Sequence, residues 1–364
     1  MDLSFINVSN TMHGLAMQAL DRGDVDEGYR LLEMSLVSTM MTKCSLPLSF
    51  RFVPRRGMPF PTVSPEHVVI RLSRQGIEIF AWAEFVTKPV FSFERFPIVG
   101  DLFARVAAAL PEDGRFCCVF DLGDGDDVGD YARAAFCSAR PGTVLIPDPY
   151  IYYNDNYDTF RAQMAQSGKP WDDRRDQVFW RGGGGCKKLN EPDPASPLDW
   201  SSRQRLHLCA AVRDSAHGDF LDVGVTHLRT VHEDYLKEAV IAAGFLKPVV
   251  DKSVFNEYRY QLDIDGWTNA WSLLDKMISG AAIIKVASVA GYRQWFYDKL
   301  VPWTHYIPVK ADLSDFDQVI GWVRGHESEC RNIAAASAAL AQTVQLEAGL
   351  EQAKRGILDI LRPF

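Results

Sequence analysis

The feature that most constrains the fold is a regular alternation, from residue 176 onward, of short apolar segments with longer segments of helical periodicity. Strands separated by helices cross over and pair in parallel as β-α-β units. The alternation therefore predicts an α/β fold with a parallel sheet, in which a ligand binds beyond the carboxyl ends of the strands. The predicted elements are strand DQVFWR (176–181), helix 203–213, strand 219–225, helix 232–241, strand YRYQLDI (258–264), helix 268–279, strand AAIIKV (281–286), helix 291–300 and strand HYIPV (305–309), followed by C-terminal helices.

The first part of the chain has a different pattern. EHVVIRLSRQGIEIFAWAEFV alternates like two strands around a turn at 74–76, and the apolar run RFCCVF ends in the acidic DLGDGDD. A chain of 364 residues is too long for one ordinary core, so we predict two domains. Turn-forming residues accumulate between 147 and 176. We therefore expect one domain over 1–165, a second over 166–345, and a C-terminal helix in 346–364 that packs back on the first domain.

The composition excludes several classes of protein. It is 47% hydrophobic and 24% charged, which is typical of a globular protein, and the net charge of −8 argues against a broad nucleic-acid surface. We see no signal peptide and no apolar stretch near the roughly 20 residues that a membrane span needs. The seven cysteines are odd in number and lack zinc-type spacing. We therefore expect a cytoplasmic protein with at most a peripheral association with a membrane.

Four consecutive glycines, Gly182–Gly185, directly follow the strand end VFWR. Bare N–H groups at the carboxyl edge of a strand can form an anion-binding concavity, and no Cβ keeps a phosphate away from them. Arg181 before the loop, with Lys187 and Lys188 after it, adds positive charge. The segment is neither a P-loop nor a dinucleotide fingerprint. Read alone, it fits a phosphate cradle and a mobile surface loop equally well.

A second strand end has similar features. YRYQLDIDGWTNAWSLLDKMISGAAIIKV runs strand, Asp-Gly turn, helix, glycine and strand, with Thr268 or Asn269 available to cap the helix. Asp265 either shapes the turn by accepting local N–H bonds or contacts a ligand. In one parallel sheet this turn and the glycine loop could converge on the same ligand.

Five segments carry a family resemblance: WRGG, YRYQLDIDG, SLLDKMISGAAIIKV, GYRQWFYDKLVPWTHYIPV and ADLSDFDQVIGWV. In this order they resemble glycosyltransferase family 90. That family includes the Rumi-type protein O-glucosyltransferases, fungal capsule xylosyltransferases and bacterial LpsA-like lipopolysaccharide glycosyltransferases. The resemblance covers roughly residues 115–335, and the pair Trp271-Ser272 is similar to the bacterial LpsA-like branch.

The resemblance implies a GT-B-like fold, with two Rossmann-like domains whose parallel sheets face a cleft. The first domain would lie on the acceptor side and carry the base, and the second would bind the nucleotide sugar. It implies an inverting transferase that uses a UDP-sugar as donor substrate, with no cofactor and no metal. The acceptor would be a saccharide or glycolipid, such as a lipopolysaccharide core or a capsule precursor, which would bring a cytoplasmic enzyme to the inner membrane.

The resemblance also assigns roles to residues. FCCVFDLGD matches the pattern IN-x-RD, so Asp124 corresponds to the catalytic base and Asp121 to the Asn, while Gly123 stands where relatives have Arg. Ser272 stands where eukaryotic members have an Arg that contacts the diphosphate, so another cation has to replace it. The expected donor-binding residues are Arg181 with Gly182, Gly183, Gly184 and Gly185, then Arg205 (ranked below Arg181), Asp265, Gly266 and Ser272, with Lys285 and Arg293 as the replacement cations.

Three alternatives remain open at this stage. Asp124-Gly-Asp126 and Asp263-Ile-Asp265 each match the DxD pattern with which metal-dependent glycosyltransferases hold a divalent cation. A sugar-nucleotide enzyme with another chemistry, such as a hydrolase or epimerase, would share the same donor site. The Gly123 and Ser272 departures also permit a catalytically degenerate protein that binds a nucleotide sugar or serves as a scaffold.

Overall fold

A computed structural model describes residues 3–84, 95–125, 128–186, 199–228 and 234–364. Contacts divide the chain into two compact units: unit 1 comprises Met1–Tyr153 and Leu346–Phe364, and unit 2 comprises Asn154–Gln345. The C-terminal helix thus belongs to unit 1. The division lies at 153/154 rather than at the expected 165/166, because the Arg161 guanidinium donates to the carbonyls of Ala341 and Val344 and so ties its helix into unit 2.

The secondary structure consists of the following elements. The helices are α1 (Leu3–Asp21), α2 (Val25–Met40), α3 (Phe96–Ala108), α4 (Pro149–Tyr153), α5 (Asp158–Ser167), α6 (Gln204–Asp214), α7 (Asp234–Ala242), α8 (Leu273–Ile278), α9 (Phe316–Gly325), α10 (Glu327–Thr343) and α11 (Leu346–Ile360). The strands are β1 (Leu48–Val53), β2 (His67–Ser73), β3 (Gly76–Trp82), β4 (Phe116–Asp121), β5 (Arg133–Ala135), β6 (Val144–Leu145), β7 (Arg175–Gly183), β8 (Leu221–His227), β9 (Tyr258–Asp263), β10 (Ala282–Val286), β11 (Ile307–Val309) and β12 (Arg362–Pro363).

Unit 1 contains a mixed sheet in the order β1-β3-β2-β4-β5-β6, with β12 paired to β4. The pairs β1–β3, β4–β5 and β5–β6 are parallel, whereas β2 runs antiparallel to both β3 and β4. The tight turn after Ser73 makes the β2–β3 pair antiparallel, since so short a connection can join only antiparallel strands, and it confirms the predicted hairpin. The expected parallel sheet of this unit is therefore only partly parallel.

Unit 2 contains a five-stranded sheet in the order β11-β10-β9-β7-β8, and every strand pair in it is parallel. All five residues of β10 and all but one of β9 are buried, as is typical of parallel strands covered by helices on both faces. One face of β9 packs Tyr260 and Leu262 into the main core, and the other carries Gln261 and Asp263. The predicted α/β class with a parallel sheet is confirmed.

One predicted helix, 291–300, is wrong. Gly291 adopts φ +80°, and only Tyr297–Lys299 forms a single 3₁₀ turn. Trp295 and Phe296 of this segment are nevertheless buried, and Tyr297 is half-buried. Among the described helices, none combines the length and the apolar character that a bilayer crossing needs.

Candidate functional site

The glycine loop lies at the carboxyl end of β7, where the pairing with β8 shifts register between Gly182 and Gly183. The Gly184 N–H donates to the His227 carbonyl (2.8 Å) and the Thr226 hydroxyl donates to the Gly182 carbonyl (3.2 Å). A Cβ on Gly183 would lie 2.6 Å from the His227 ring, and one on Gly182 would lie 2.6 Å from the Trp180 ring. Close packing against the buried Trp180 therefore explains Gly182, whereas the exposed His227 ring could move away from a side chain at position 183. The backbone hydrogen bonds make the start of the loop a continuation of the sheet.

Arg205, the second residue of α6, joins this loop to the Asp-Gly turn. Its Nη1 donates to the Gly183 carbonyl (3.0 Å), its Nε to the Asp265 carbonyl (2.9 Å) and its Nη2 to the Ile264 carbonyl (3.4 Å). Burial lowers the pKa of Arg205, but a guanidinium stays charged in proteins. The two strand ends singled out in the sequence therefore meet around one cation whose described hydrogen bonds all go to backbone carbonyls.

The turn after β9 contains several buried polar atoms that lack a protein partner. Asp265, Thr268 and Asn269 are 6%, 5% and 2% exposed. Within the described part of the chain, Asp265 Oδ1, the Thr268 hydroxyl and both amide atoms of Asn269 have no hydrogen-bond partner. Each such buried group costs about 1–3 kcal/mol if nothing satisfies it. Four of them in one turn indicate that water or a ligand completes this site.

The same geometry corrects the predicted helix start. Thr268 and Asn269 do not cap α8, because Ser272 occupies the N-cap position, without a side-chain cap bond. Ser272 lines a cavity of about 450 Å³ together with Gln261 and Lys276. The Gly266 N–H donates to the Thr268 carbonyl (2.9 Å), and a Cβ on Gly266 would lie 2.9 Å from Arg205 Nη2.

Asp265 is held in an energetically unfavourable environment. Burial raises the pKa of its carboxyl to about 6, although Lys285 and the Ser288 hydroxyl act in the opposite direction. A carboxylate that is costly to bury and has one oxygen without a partner is a common feature of functional sites. Asp265 is therefore a candidate for ligand contact as well as a turn residue, and its role stays a prediction.

Behind this turn lies a buried cluster of three charges. Asp263 Oδ1 is 2.9 Å from Lys276 Nζ, and Oδ2 is 2.8 Å from Lys285 Nζ. Burial alone would raise the pKa of Asp263, but the two ammonium groups outweigh burial and lower it to about 2. Lys285 also lies over the Tyr297 ring, 4.9 Å from its centroid. Lys285, expected as a diphosphate cation, is thus already paired with Asp263.

Arg181 does not contact the glycine loop through its side chain. Its Nη2 is 2.6 Å from Asp222 Oδ1, its Nη1 donates to the Asp222 carbonyl (2.9 Å), and its guanidinium lies over the Phe179 ring. In the strand register Asp222 pairs with Phe179, whereas Arg181 pairs with Gly224, so the side chain points back along the sheet. The structure thus places Arg205 rather than Arg181 between the two strand ends, and the expected ranking of the two in donor binding stays a prediction.

None of the described contacts of the Arg293 side chain reaches the Asp-Gly turn. Its side chain is 48% exposed and binds the exposed Asp298 at 2.8 Å. Of the two proposed replacement cations, Lys285 is buried and shares Asp263 with Lys276, and Arg293 is a surface residue. Arg205 is the cation that the structure places between the two strand ends.

In unit 1, Asp124 follows β4 as expected, and Arg95 lies beside it. Arg95 Nη2 is 2.5 Å from Asp124 Oδ1. The preceding turn is fixed by Asp121, whose Oδ1 accepts the Gly123 N–H (2.8 Å) and whose Oδ2 lies 3.7 Å from Nε2 of the buried His67.

The absence of a side chain at position 123 has a physical cause. A Cβ on Gly123 would lie 1.8 Å from a carboxylate oxygen of Glu66, so Glu66 occupies the space into which a side chain would project. Arg95, Glu66 and Lys276 were not anticipated from the sequence. The only available signal was for Lys276, since a buried carboxylate such as Asp263 requires a cation nearby.

Of the two DxD motifs, the structure describes both aspartates only for Asp263-Ile-Asp265. Both oxygens of Asp263 are bound to lysine ammonium groups, which leaves Asp263 poorly placed to ligate a metal. Asp126 lies outside the described residues, as do Lys187 and Lys188. Across the described ranges, no group of three or more histidine, cysteine, aspartate or glutamate residues has metal-binding geometry. That the reaction needs no metal stays a prediction.

Comparison with known proteins agrees with the family resemblance. The family model described as "Glycosyl transferase family 90" matches residues 155–347. Protein O-glucosyltransferase 2 of Danio rerio is 29% identical over 180 residues, covering 50% of this chain and 31% of the relative. Protein O-glucosyltransferase 3 of Rattus norvegicus is 27% identical over 216 residues, covering 57% and 37%. The matched region thus spans about a third of the length of these curated relatives.

Similarity to solved structures is weaker. The Anabaena protein Alr3699/HepE in complex with UDP-glucose is 10% identical, with a TM-score of 0.34, covering 55% of this chain and 52% of that one. WaaG, a glycosyltransferase involved in lipopolysaccharide biosynthesis, is 13% identical, with a TM-score of 0.33, covering 55% and 50%.

The family match covers more than half of the chain and nearly all of unit 2. It includes the glycine loop, Arg205, the Asp-Gly turn and the Asp263 cluster. The predicted glycosyltransferase class is therefore confirmed at the level of the family, whereas the bacterial branch stays a prediction. The chain belongs to glycosyl transferase family 90.

Proposed function

We propose that the chain is an inverting, metal-independent glycosyltransferase that moves a sugar from a UDP-sugar to a hydroxyl of a saccharide acceptor. The observation that supports this most directly is the carboxyl edge of the unit 2 sheet. There Arg205 bridges the glycine loop and the Asp-Gly turn, and four buried polar atoms beside it lack protein partners. Such an edge is where open α/β sheets bind ligands.

In this proposal the donor diphosphate binds beside the glycine loop and Arg205. A guanidinium and backbone N–H groups are suited to a diphosphate because they supply directed donors and positive charge. Asp265, Thr268 and Asn269 offer both acceptors and donors to the remaining polar groups of the donor. The cluster around Asp263 lies behind the turn and supports it.

Asp124 acts as the general base. It removes the proton from the acceptor hydroxyl while the hydroxyl oxygen forms a bond to the anomeric carbon. The bond from that carbon to the UDP oxygen breaks on the opposite face, which inverts the configuration and leaves negative charge on the diphosphate. Arg205 stabilises that charge as it develops, a role that a metal ion fills in other enzymes.

The finer assignment rests on the family resemblance alone. We propose the bacterial LpsA-like branch because Trp271-Ser272 matches it, and hence a lipopolysaccharide core or capsule precursor as acceptor, reached in the cytoplasm or at the inner membrane. A degenerate nucleotide-sugar-binding protein is the second candidate, favoured by the Ser272 and Gly123 departures. A metal-dependent DxD transferase is the third.

The test is UDP release from a panel of UDP-sugars (glucose, galactose, xylose and N-acetylglucosamine) with core oligosaccharide as acceptor, in the presence of EDTA. The proposal expects release that Asp124→Asn lowers by about 10²–10⁴-fold, the usual contribution of a general base. Asp130→Asn, at a fully exposed carboxylate of unit 1, is the matched control and should retain activity.

Four results contradict parts of this proposal. Equal release by wild type and Asp124→Asn rejects the assigned base. UDP binding without release from any donor favours the scaffold alternative. Release only with added Mn²⁺ or Mg²⁺ favours the DxD alternative, and a product that keeps the donor's anomeric configuration, determined by NMR, rejects inversion.

A further inference from the structure

One arginine, Arg95, binds both the Asp124 carboxylate and the main chain of the loop that carries it. Arg95, the residue before α3, donates from Nη1 to the Leu122 carbonyl (2.5 Å) and from Nη2 to Asp124 Oδ1 (2.5 Å). Its side chain is only 13% exposed and lies over the Phe136 ring. One rigid guanidinium therefore fixes the main chain and the side chain of the same loop.

This loop needs such a constraint because Asp124 lies between two glycines. A side chain on Gly123 would have to displace the Glu66 carboxylate, and Gly125 adopts φ +83°, a conformation that other residues rarely adopt. The other described contacts of the loop reach its backbone: Asp121 accepts the Gly123 N–H, and the Cys137 thiol donates to the Asp124 carbonyl. They do not orient the carboxylate.

The geometry of the Arg95 contact suits a base. It engages Oδ1 and leaves Oδ2 to accept a proton, and the Asp124 side chain remains 30% exposed. Arginine can satisfy a carbonyl and a carboxylate together because its donors are fixed in one plane, whereas the single ammonium of lysine cannot hold both in the same geometry.

We propose that Arg95 is the positioning residue of the proposed transfer reaction, holding the Asp124 carboxylate at the angle from which Oδ2 accepts the acceptor proton. The inference rests on the proposed function, since it gives Arg95 a role only through Asp124. Misplacing a reacting group by about 1 Å costs on the order of 10²-fold in rate. Loss of Arg95 should therefore lower kcat, whereas donor binding on unit 2 should be unaffected.

The experiment compares Arg95→Ala and Arg95→Lys with Arg105→Ala in UDP-sugar turnover. Arg105 is the matched control, since it lies on α3, the helix that Arg95 immediately precedes, is partly buried and binds Asp101 at 2.8 Å. We expect Arg95→Ala to lower kcat about 100-fold with the donor KM changed less than about threefold, and Arg95→Lys to recover part of the loss. Methylguanidinium at about 50 mM should restore roughly a tenth of the lost activity in Arg95→Ala and should not affect Arg105→Ala.

A wild-type-like kcat in Arg95→Ala overturns the inference. So does a loss of kcat that Arg95→Lys and methylguanidinium both leave unchanged while the melting temperature falls, because that pattern indicates a purely structural role. Failure of the proposed function gives a different result: wild type releases no UDP from any donor, or Asp124→Asn is as active as wild type. If Arg95→Ala has wild-type activity and Asp124→Asn is inactive, only the role of Arg95 is rejected, and the proposed function stands.

Discussion

Replacing Asp265 with Asn should stabilise the protein at neutral pH, and the gain should disappear in acid. The Asp265 carboxyl is 6% exposed and burial raises its pKa from 3.8 to about 6. One pKa unit corresponds to about 1.4 kcal/mol, so ionised Asp265 costs the folded state about 3 kcal/mol relative to the protonated form. Asn has the same shape and carries no charge to desolvate.

The direction of the pH dependence follows from proton linkage. Between pH 3.8 and about 6 the folded state keeps the Asp265 proton that the unfolded state releases, so the free energy of unfolding of wild type falls as pH rises through this window. Above about pH 6 the stabilising contribution of the proton is lost. From pH 5 to pH 8 wild type should therefore lose about 1.4 kcal/mol relative to Asp265→Asn.

The assay is urea unfolding of wild type and Asp265→Asn at pH 5, 6, 7 and 8. Asp298→Asn, at an exposed carboxylate of unit 2, controls for the substitution itself. The quantity of interest is the difference in unfolding free energy between variant and wild type, which should rise with pH and level off above pH 7. A difference that stays constant from pH 5 to pH 8 would refute the reasoning, as would one that falls.

Two further substitutions test the edge of the unit 2 sheet. Asp263→Ala should cost about 3–5 kcal/mol in urea unfolding at pH 7, because it leaves two lysine ammonium groups buried without their counter-charge; a loss below about 1 kcal/mol would contradict this. Gly182→Ala should cost about 1–3 kcal/mol and weaken UDP binding, because its Cβ would lie 2.6 Å from the ring of Trp180, which is 3% exposed and has little space to move, whereas Gly218→Ala, whose Cβ would meet nothing within 4 Å, should be near neutral in both measurements.

The positions of the main site elements could be predicted because they follow from local pattern. Strand β7 and the segment around β9 have clear apolar runs, and parallel pairing brings their carboxyl ends to one edge. The sequence therefore placed Gly182–Gly185 and Asp265 at this edge and also singled out Arg205, which the structure places between them; their roles in donor binding stay predictions. The hairpin of unit 1 was also predictable from its alternation and tight turn.

Side-chain direction could not be predicted in the same way. Arg181 immediately precedes the glycine loop in sequence, yet its guanidinium points back to Asp222 because that carboxylate is on the neighbouring strand. Lys285 was expected at a phosphate and is paired with Asp263.

The residues that were missed make contacts between distant parts of the chain. Arg95 reaches Asp124 across 29 positions, and Glu66 occupies the space beside Gly123 through the pairing of β2 with β4. No local period or motif encodes contacts of this kind. The failed helix at 291–300 has a simpler cause, because a positive φ at Gly291 turns the chain where the apolar spacing alone favours a helix.

The central claim is that Arg205 and the glycine loop hold a nucleoside diphosphate without a metal. Calorimetric titration of UDP into wild type, Arg205→Ala and Arg181→Ala, each with and without EDTA, tests it most directly. The account predicts wild-type binding that survives EDTA, weakens tenfold or more in Arg205→Ala, and stays within about twofold in Arg181→Ala, since a hydrogen bond to a charged group contributes about 1.5–3 kcal/mol. Binding that requires a divalent cation, or that depends on Arg181 and not on Arg205, would contradict the account.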